Sequence, residues 1–222
     1  PLYYEAVNEC GLGMAGLNFP NNAVYNEKIN DKDNVAQFEL IPWLLGKCAS
    51  VKEVKDLLKC INITNEPFNN NFPVSPLHWL IADSKECIVV EAVCDGLKIY
   101  DNPVGVMTNN PTFDKQLFNL SDNLKLESYS RGLGALGLPG DVSSMSRFVR
   151  AAFVKMNSVS SDDEISSVNQ FFHILNSIEQ VRGCCKLKEN TYEITIYSSC
   201  CNATKGIYYY TTYNNHQINA ID

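Results

Sequence analysis

The chain has 222 residues, 45% hydrophobic and 19% charged, enough to bury a sizeable core within a single domain, 1–222. Its 18 Lys and Arg against 25 Asp and Glu leave a formal net charge of -7, which argues against nucleic-acid binding as a main role and gives an anionic ligand no long-range attraction. No window approaches the roughly 18 to 20 consecutive apolar residues that span a bilayer. The start, Pro1-Leu2-Tyr3-Tyr4-Glu5, has neither the basic nor the apolar stretch of a signal peptide, so a cytoplasmic protein with no membrane partner is expected.

In chain order, Gly11-Leu12-Gly13-Met14-Ala15-Gly16 reads as strand-like and runs into Leu17-Asn18-Phe19-Pro20. Between Gln37 and Cys48 the apolar residues Phe38, Leu40, Ile41, Trp43, Leu44 and Leu45 fall at helical spacing, with Pro42 acceptable in a first turn. Ser50-Val51-Lys52-Glu53 has the pattern of a capping box and opens a second helix carrying Val54, Leu57 and Leu58 on one face. The Asn-rich stretch from Asn62 to Asn71 reads as a loop. Short β-prone runs follow at Leu77–Asp83, Cys87–Val93, Leu97–Tyr100 and Val104–Thr108, and their brief connections imply antiparallel neighbours.

After a polar segment comes the glycine-rich Arg131–Gly140, which lacks the G-x-G-x-x-G spacing of a dinucleotide site. Helices are predicted at about Ser146–Met156 and Asp163–Val181, the second opened by Asp162, Asp163 and Glu164 at its positive end. Strands at Thr191–Tyr197, Gly206–Thr212 and Gln217–Ile221 close the chain. Blocks of helices and antiparallel strands, without βαβα alternation or internal repeat, predict an α+β fold.

Nine cysteines are too many to ignore and odd in number, but a chain this long needs no disulfide framework, so free thiols are expected. The pairs Cys184-Cys185 and Cys200-Cys201 lack the C-x-x-C spacing of a metal site, and no metal or cofactor is expected. The sequons at Asn62, Asn119 and Asn202 are chance matches without secretion. His78 and His173 sit in apolar runs as hydrogen-bonded core residues would, and, with His216, none pairs with a recognisable serine or cysteine nucleophile.

Three residues carry possible chemistry. Asn18 and Asn109, both read at strand ends, either donate fixed hydrogen bonds to an oxyanion or serve as turn residues near proline. Arg147 lies near the start of its helix, where the dipole disfavours a cation, so it either faces a negative charge or is a surface arginine paired with a residue such as Asp141.

Taken in order, Gly11 to Pro20, Leu77-His78-Trp79, Thr108-Asn109-Asn110-Pro111, Leu138-Pro139-Gly140-Asp141, Ser146-Arg147-Phe148 and the late Tyr208 to Tyr213 run resemble the choloylglycine hydrolase family, specifically its bile salt hydrolases, over essentially the whole chain. The resemblance implies an N-terminal-nucleophile hydrolase with an αββα sandwich, in which a cysteine at the mature N-terminus attacks and its own α-amino group is the base. It puts Asn18 and Asn109 on the asparagines that hold the scissile amide or its oxyanion, Arg147 on the supporting arginine, and Leu17 with Asn18 on substrate contacts. Conjugated bile acids would be the substrates and a homotetramer the assembly.

The sequence departs from that pattern in its first residues. Pro1 brings no thiol, Cys10 falls on a variable turn position, and the family's leading Cys, Arg and Asp have no counterpart. The loop around Asn119 to Leu126 is shorter than in typical members, and the chain stops where a last strand is expected. The fold is therefore expected to be incomplete at both ends, and the polypeptide to be inactive alone. The alternatives are a penicillin V acylase of the same family, which tends to carry an aromatic residue at the position of Asn18, and a noncatalytic bile-acid binder.

Overall fold

The computed structural model describes residues 2–123 and 135–221. Its chain divides into two compact units, Pro1–Asp114 and Lys115–Asp222. The first unit is built on a five-stranded antiparallel sheet whose order is β1 (Glu5–Val7), β2 (Gly13–Asn18), β5 (Leu77–Ala82), β6 (Cys87–Val93), β7 (Gly96–Asp101). The antiparallel reading of the central strands holds because tight turns join them, Gly96 taking φ 101° on leaving Asp95.

Helices α1 (Leu40–Leu45) and α2 (Val51–Leu57) supply the apolar cover. Leu40, Ile41, Leu44, Val51 and Val54 join Leu12, Met14, Trp79, Ile81, Ile88 and Val90 in one buried cluster. Pro42 falls in the first turn of α1, where its missing N–H leaves no bond unmade. Ser50 caps α2 by accepting from Glu53 N at 3.3 Å, and Glu53 reaches back to Ala49 N at 2.9 Å, so the capping signal was sound.

The two helices also form the crossover between β3 (Asp33–Ala36) and β4 (Ile61–Thr64), which pair in parallel. This corrects the reading of Asn62 as the start of a loop. Ile61-Asn62-Ile63-Thr64 is β-branched at three of its four positions and buried throughout, with Asn62 donating to Glu27 O at 2.9 Å and Asn34 Oδ1 at 2.8 Å.

Val104–Thr108 is not a strand either. Asn102 accepts from Val104 N at 3.2 Å and Gly105 N at 2.8 Å and donates to Val106 O at 3.0 Å, while Gly105 takes φ 60°. One side chain thereby ties the backbone into a turn that competes with any ladder. Helix α3 (Phe113–Asn123) follows, which corrects the reading of a loop around Asn119: residues 119–123 continue the helix.

In the second unit, α4 (Ser144–Asn157) packs on α5 (Glu164–Asn176), and α5 packs on β10 of a three-stranded sheet, β10 (Tyr197–Asn202), β11 (Ile207–Thr212), β12 (Asn215–Ile221). Asp163 caps α5, accepting from Ser166 N at 2.8 Å, as its position ahead of the helix required. The expected strand Thr191–Tyr197 is split: β9 (Thr191–Glu193) pairs with β8 (Cys185–Lys188), and Tyr197 opens β10. Residues Arg131–Gly134 of the glycine-rich stretch lie outside the described residues.

Two substitutions test this packing by urea unfolding. Leu44→Ala, at a fully buried position, is expected to cost about 2–5 kcal/mol, whereas Ser50→Ala, which removes only the α2 cap, should cost about 0.5–2 kcal/mol.

Candidate active site

In the first unit the candidate site grows from the end of β2. The register sets Gly16 against Trp79, Leu17 against His78 and Asn18 against Leu77. A Cβ on Gly16 would lie 3.3 Å from both Cδ1 and Nε1 of Trp79, so glycine lets the strand sit close over the indole. Leu17 is half-buried and Asn18 exposed. The strand then turns, with Phe19 N donating to Pro76 O at 2.7 Å.

The carbonyls on either side of Phe19 are taken up by two neighbouring amides. Asn109 Nδ2 donates to Asn18 O at 2.8 Å, and Asn110 Nδ2 donates to Pro20 O at 2.7 Å. Asn18 and Asn109, distant in sequence, are thus brought together. Asn109 follows the Asn102 turn and not a strand, and Asn110, which sequence reasoning passed over, is a second crosslink. Asn110–Pro111 is a cis peptide bond.

Behind this loop lies a buried ionisable pair. Phe19 stacks on His78 with ring centroids 4.2 Å apart and planes 6° from parallel. His78 Nδ1 lies 3.1 Å from Glu91 Oε1, the same oxygen that accepts from Phe113 N at 3.1 Å. Both side chains are fully buried. His78 is the hydrogen-bonded core residue its apolar surroundings implied. Glu91 was missed, although a carboxylate within the apolar run Cys87–Val93 is itself a signal, because an acidic residue is almost never fully buried without partners.

Arg147 belongs to the second unit, in the first turn of α4. Its Nε donates to Val142 O at 3.1 Å. Burial lowers its pKa and nearby Arg150 adds to this, while the Glu193 carboxylate works the other way; the guanidinium remains charged. Asp141 does not fit the simple picture of an Arg147 counter-ion: its carboxylate accepts from Ser143 N at 2.9 Å and Ser146 Oγ at 2.5 Å. Arg150 grips the same segment, donating to Pro139 O at 2.7 Å and Asp141 O at 3.1 Å.

Over residues 1–222 the chain matches the linear amide C-N hydrolases of the choloylglycine hydrolase family. The chain belongs to this family.

Among curated members of the choloylglycine hydrolase family, the chain is 57% identical to a bile salt hydrolase/transferase of Lactiplantibacillus plantarum, with 100% of this chain and 73% of that protein covered. It is 41% identical to a bile salt hydrolase/transferase of Clostridium perfringens over the same shares. A solved structure of conjugated bile acid hydrolase from Clostridium perfringens superposes with TM-score 0.92, covering 100% of this chain and 73% of that one at 41% identity. Penicillin V acylase from Agrobacterium tumefaciens, at 21% identity, TM-score 0.80 and coverage of 100% and 66%, shares the fold. The α+β fold is therefore of the N-terminal-nucleophile hydrolase type.

Choloylglycine hydrolases of this type need a thiolate, and none of the nine cysteines stands at the head of the chain; all nine are free thiols. Cys10 occupies a turn, its N–H donating to Asn8 Oδ1 at 3.1 Å. Burial raises the thiols of Cys48 and Cys185, aided by the carboxylates of Glu53 and Glu193, and pushes Cys200 up to about 11, so these three are protonated at neutral pH. Among the described residues, no group of three or more His, Cys, Asp or Glu could hold a metal ion, and no helix is long and apolar enough to cross a membrane.

The hydrogen bonds at Asp141 have a measurable consequence. They hold its pKa down from 3.8 to about 2, so its contribution to stability is complete above 3.8 and lost as pH falls through about 2. In urea unfolding measured across that window, Asp141→Asn should flatten this part of the acid dependence while leaving the rest of the profile in place.

Proposed function

We propose that the chain serves, as one catalytic domain, the hydrolysis of the amide bond joining a bile acid to glycine or taurine. The observation that carries this reading is the Asn109–Asn18 contact at the end of β2: it gathers neutral amides, the groups suited to a carbonyl or its oxyanion, in a family of amide hydrolases. Curated relatives at 57% and 41% identity bear the name bile salt hydrolase/transferase, which supports the substrate class.

In this mechanism a thiolate attacks the carbonyl carbon, charge passes to its oxygen, and Asn18 and Asn109 stabilise that oxyanion. Collapse of the intermediate expels glycine or taurine, protonated on nitrogen, and leaves an acyl-enzyme that water hydrolyses to the free bile acid. Leu17 meets the apolar substrate beside Asn18. The family resemblance gives Arg147, in the second unit, the role of supporting arginine. In this reading none of the nine cysteines of residues 1–222 supplies the attacking thiolate, and we predict that those residues on their own do not turn over. We assign it to the cytoplasm, as the free thiols support, and to a homotetramer, as family resemblance implies.

Penicillin V hydrolysis is the second reading, since an acylase shares the fold. Asn18 favours bile salts, because the acylases tend to carry an aromatic residue there. The test is a chimera carrying the cysteine-bearing N-terminal segment of the Clostridium perfringens conjugated bile acid hydrolase ahead of residues 1–222. It should release glycine from glycocholate in preference to cleaving penicillin V, and Asn109→Ala should lower the rate by about 10²–10³. Preference for penicillin V would overturn the assignment. Glycine release by the 222-residue polypeptide alone, abolished by Asn109→Ala, would overturn its inactivity.

A further inference from the structure

The amide chemistry uses neither His78 nor Glu91, yet both are fully buried beside the residues that it does use. The register sets Trp79 opposite Val90, so their neighbours His78 and Glu91 leave the other face of the sheet together and meet there. From the turn after β2, the Phe19 ring lies 4.2 Å over the imidazole. From the far side, Phe113 N–H reaches the same Glu91 oxygen as His78 Nδ1, each at 3.1 Å.

These contacts close a circuit. Asn18 O is held by Asn109, the segment begun by Asn109 ends at Phe113, Phe113 is held by Glu91, Glu91 by His78, and His78 lies under Phe19, the neighbour of Asn18. A buried polar pair of this kind is seldom better for stability than apolar side chains of the same volume, so core filling does not account for it. Two directed hydrogen bonds on one oxygen, by contrast, fix a loop in a way that apolar contact does not.

We infer that the His78–Glu91 pair is a positioning couple: acting through Phe19 on one side and Phe113 on the other, it sets the separation at which Asn18 and Asn109 are held. The inference rests on the reading of those two asparagines as the amide-holding residues. His78 and Glu91 touch no substrate; they act through the loop.

The double variant His78→Phe/Glu91→Met of the 222-residue chain separates positioning from packing. It should melt at or above the wild-type temperature. At the same time, exchange of the Asn109 side-chain amide protons should rise by about tenfold or more, and taurocholate affinity should fall about tenfold. Glu91→Gln keeps an oxygen for Phe113 N–H and should stay within about threefold of wild type in both.

Unchanged Asn109 exchange in the folded double variant would overturn the proposal. Ile88→Val, which loosens the opposite face of the sheet, is the control, and an equal rise in Asn109 exchange there would also overturn it. Should the double variant fail to fold, Phe19→Leu decides: it removes the stacked ring, and Asn109 exchange must rise above the Ile88→Val control for the proposal to stand. If the wild-type chain binds no taurocholate, the bile-acid reading fails, and the exchange measurement still decides this one.

Discussion

Where β2 leaves the sheet, its carbonyls lose the ladder that satisfied them, and the candidate site follows from how they regain donors. Backbone polar groups must find a partner in protein or water. Another strand would have offered backbone N–H groups and prolonged the sheet. Here the side chains of Asn109 and Asn110 take the carbonyls of Asn18 and Pro20, and the strand ends in a fixed turn carrying amide groups. An asparagine holds both donors and an acceptor without charge, so the arrangement brings carbonyl-recognising chemistry to an edge without burying an ion there.

The second unit meets a related problem at the start of α4. A cation in a first helical turn is disfavoured by ~0.3–1 kcal/mol, yet Arg147 stands there. Its neighbours offset this. Asp141 brings negative charge to the positive end, Ser143 caps the helix by accepting from Ser146 N, and Arg150 clamps the carbonyls of Pro139 and Asp141. The turn before the helix is thus defined by side chains from within the helix, which holds the Arg147 backbone in place.

Much of this was legible in the sequence, and the failures share a cause. The central strands Leu77–Ala82 and Cys87–Val93 were readable because apolar runs between tight turns are local signals. β4 was not, because its partner β3 is distant in sequence and asparagines surround it; parallel pairing leaves no turn to read. Val104–Thr108 has strand composition, and only the Asn102 side chain, acting on residues that follow it, overrides that preference. At the site, the settings of Asn18 and Asn109 could be recognised, whereas their mutual contact depends on tertiary folding. Glu91 was visible as an anomaly, a carboxylate in an apolar strand, but its partners became identifiable only when the register placed His78 beside it.

The close passage of β2 over Trp79 has an evolutionary consequence. Successive β2 side chains face opposite ways, so Gly16 points at the indole while its neighbour Leu17 points to the His78 face. Any methyl at Gly16 must shift the strand or the indole by tenths of an ångström, and a shifted strand carries Asn18 with it. Sequence divergence therefore has an uneven path along this segment, open at the half-buried leucine and closed one residue earlier, where strand position and core volume are set by the same backbone.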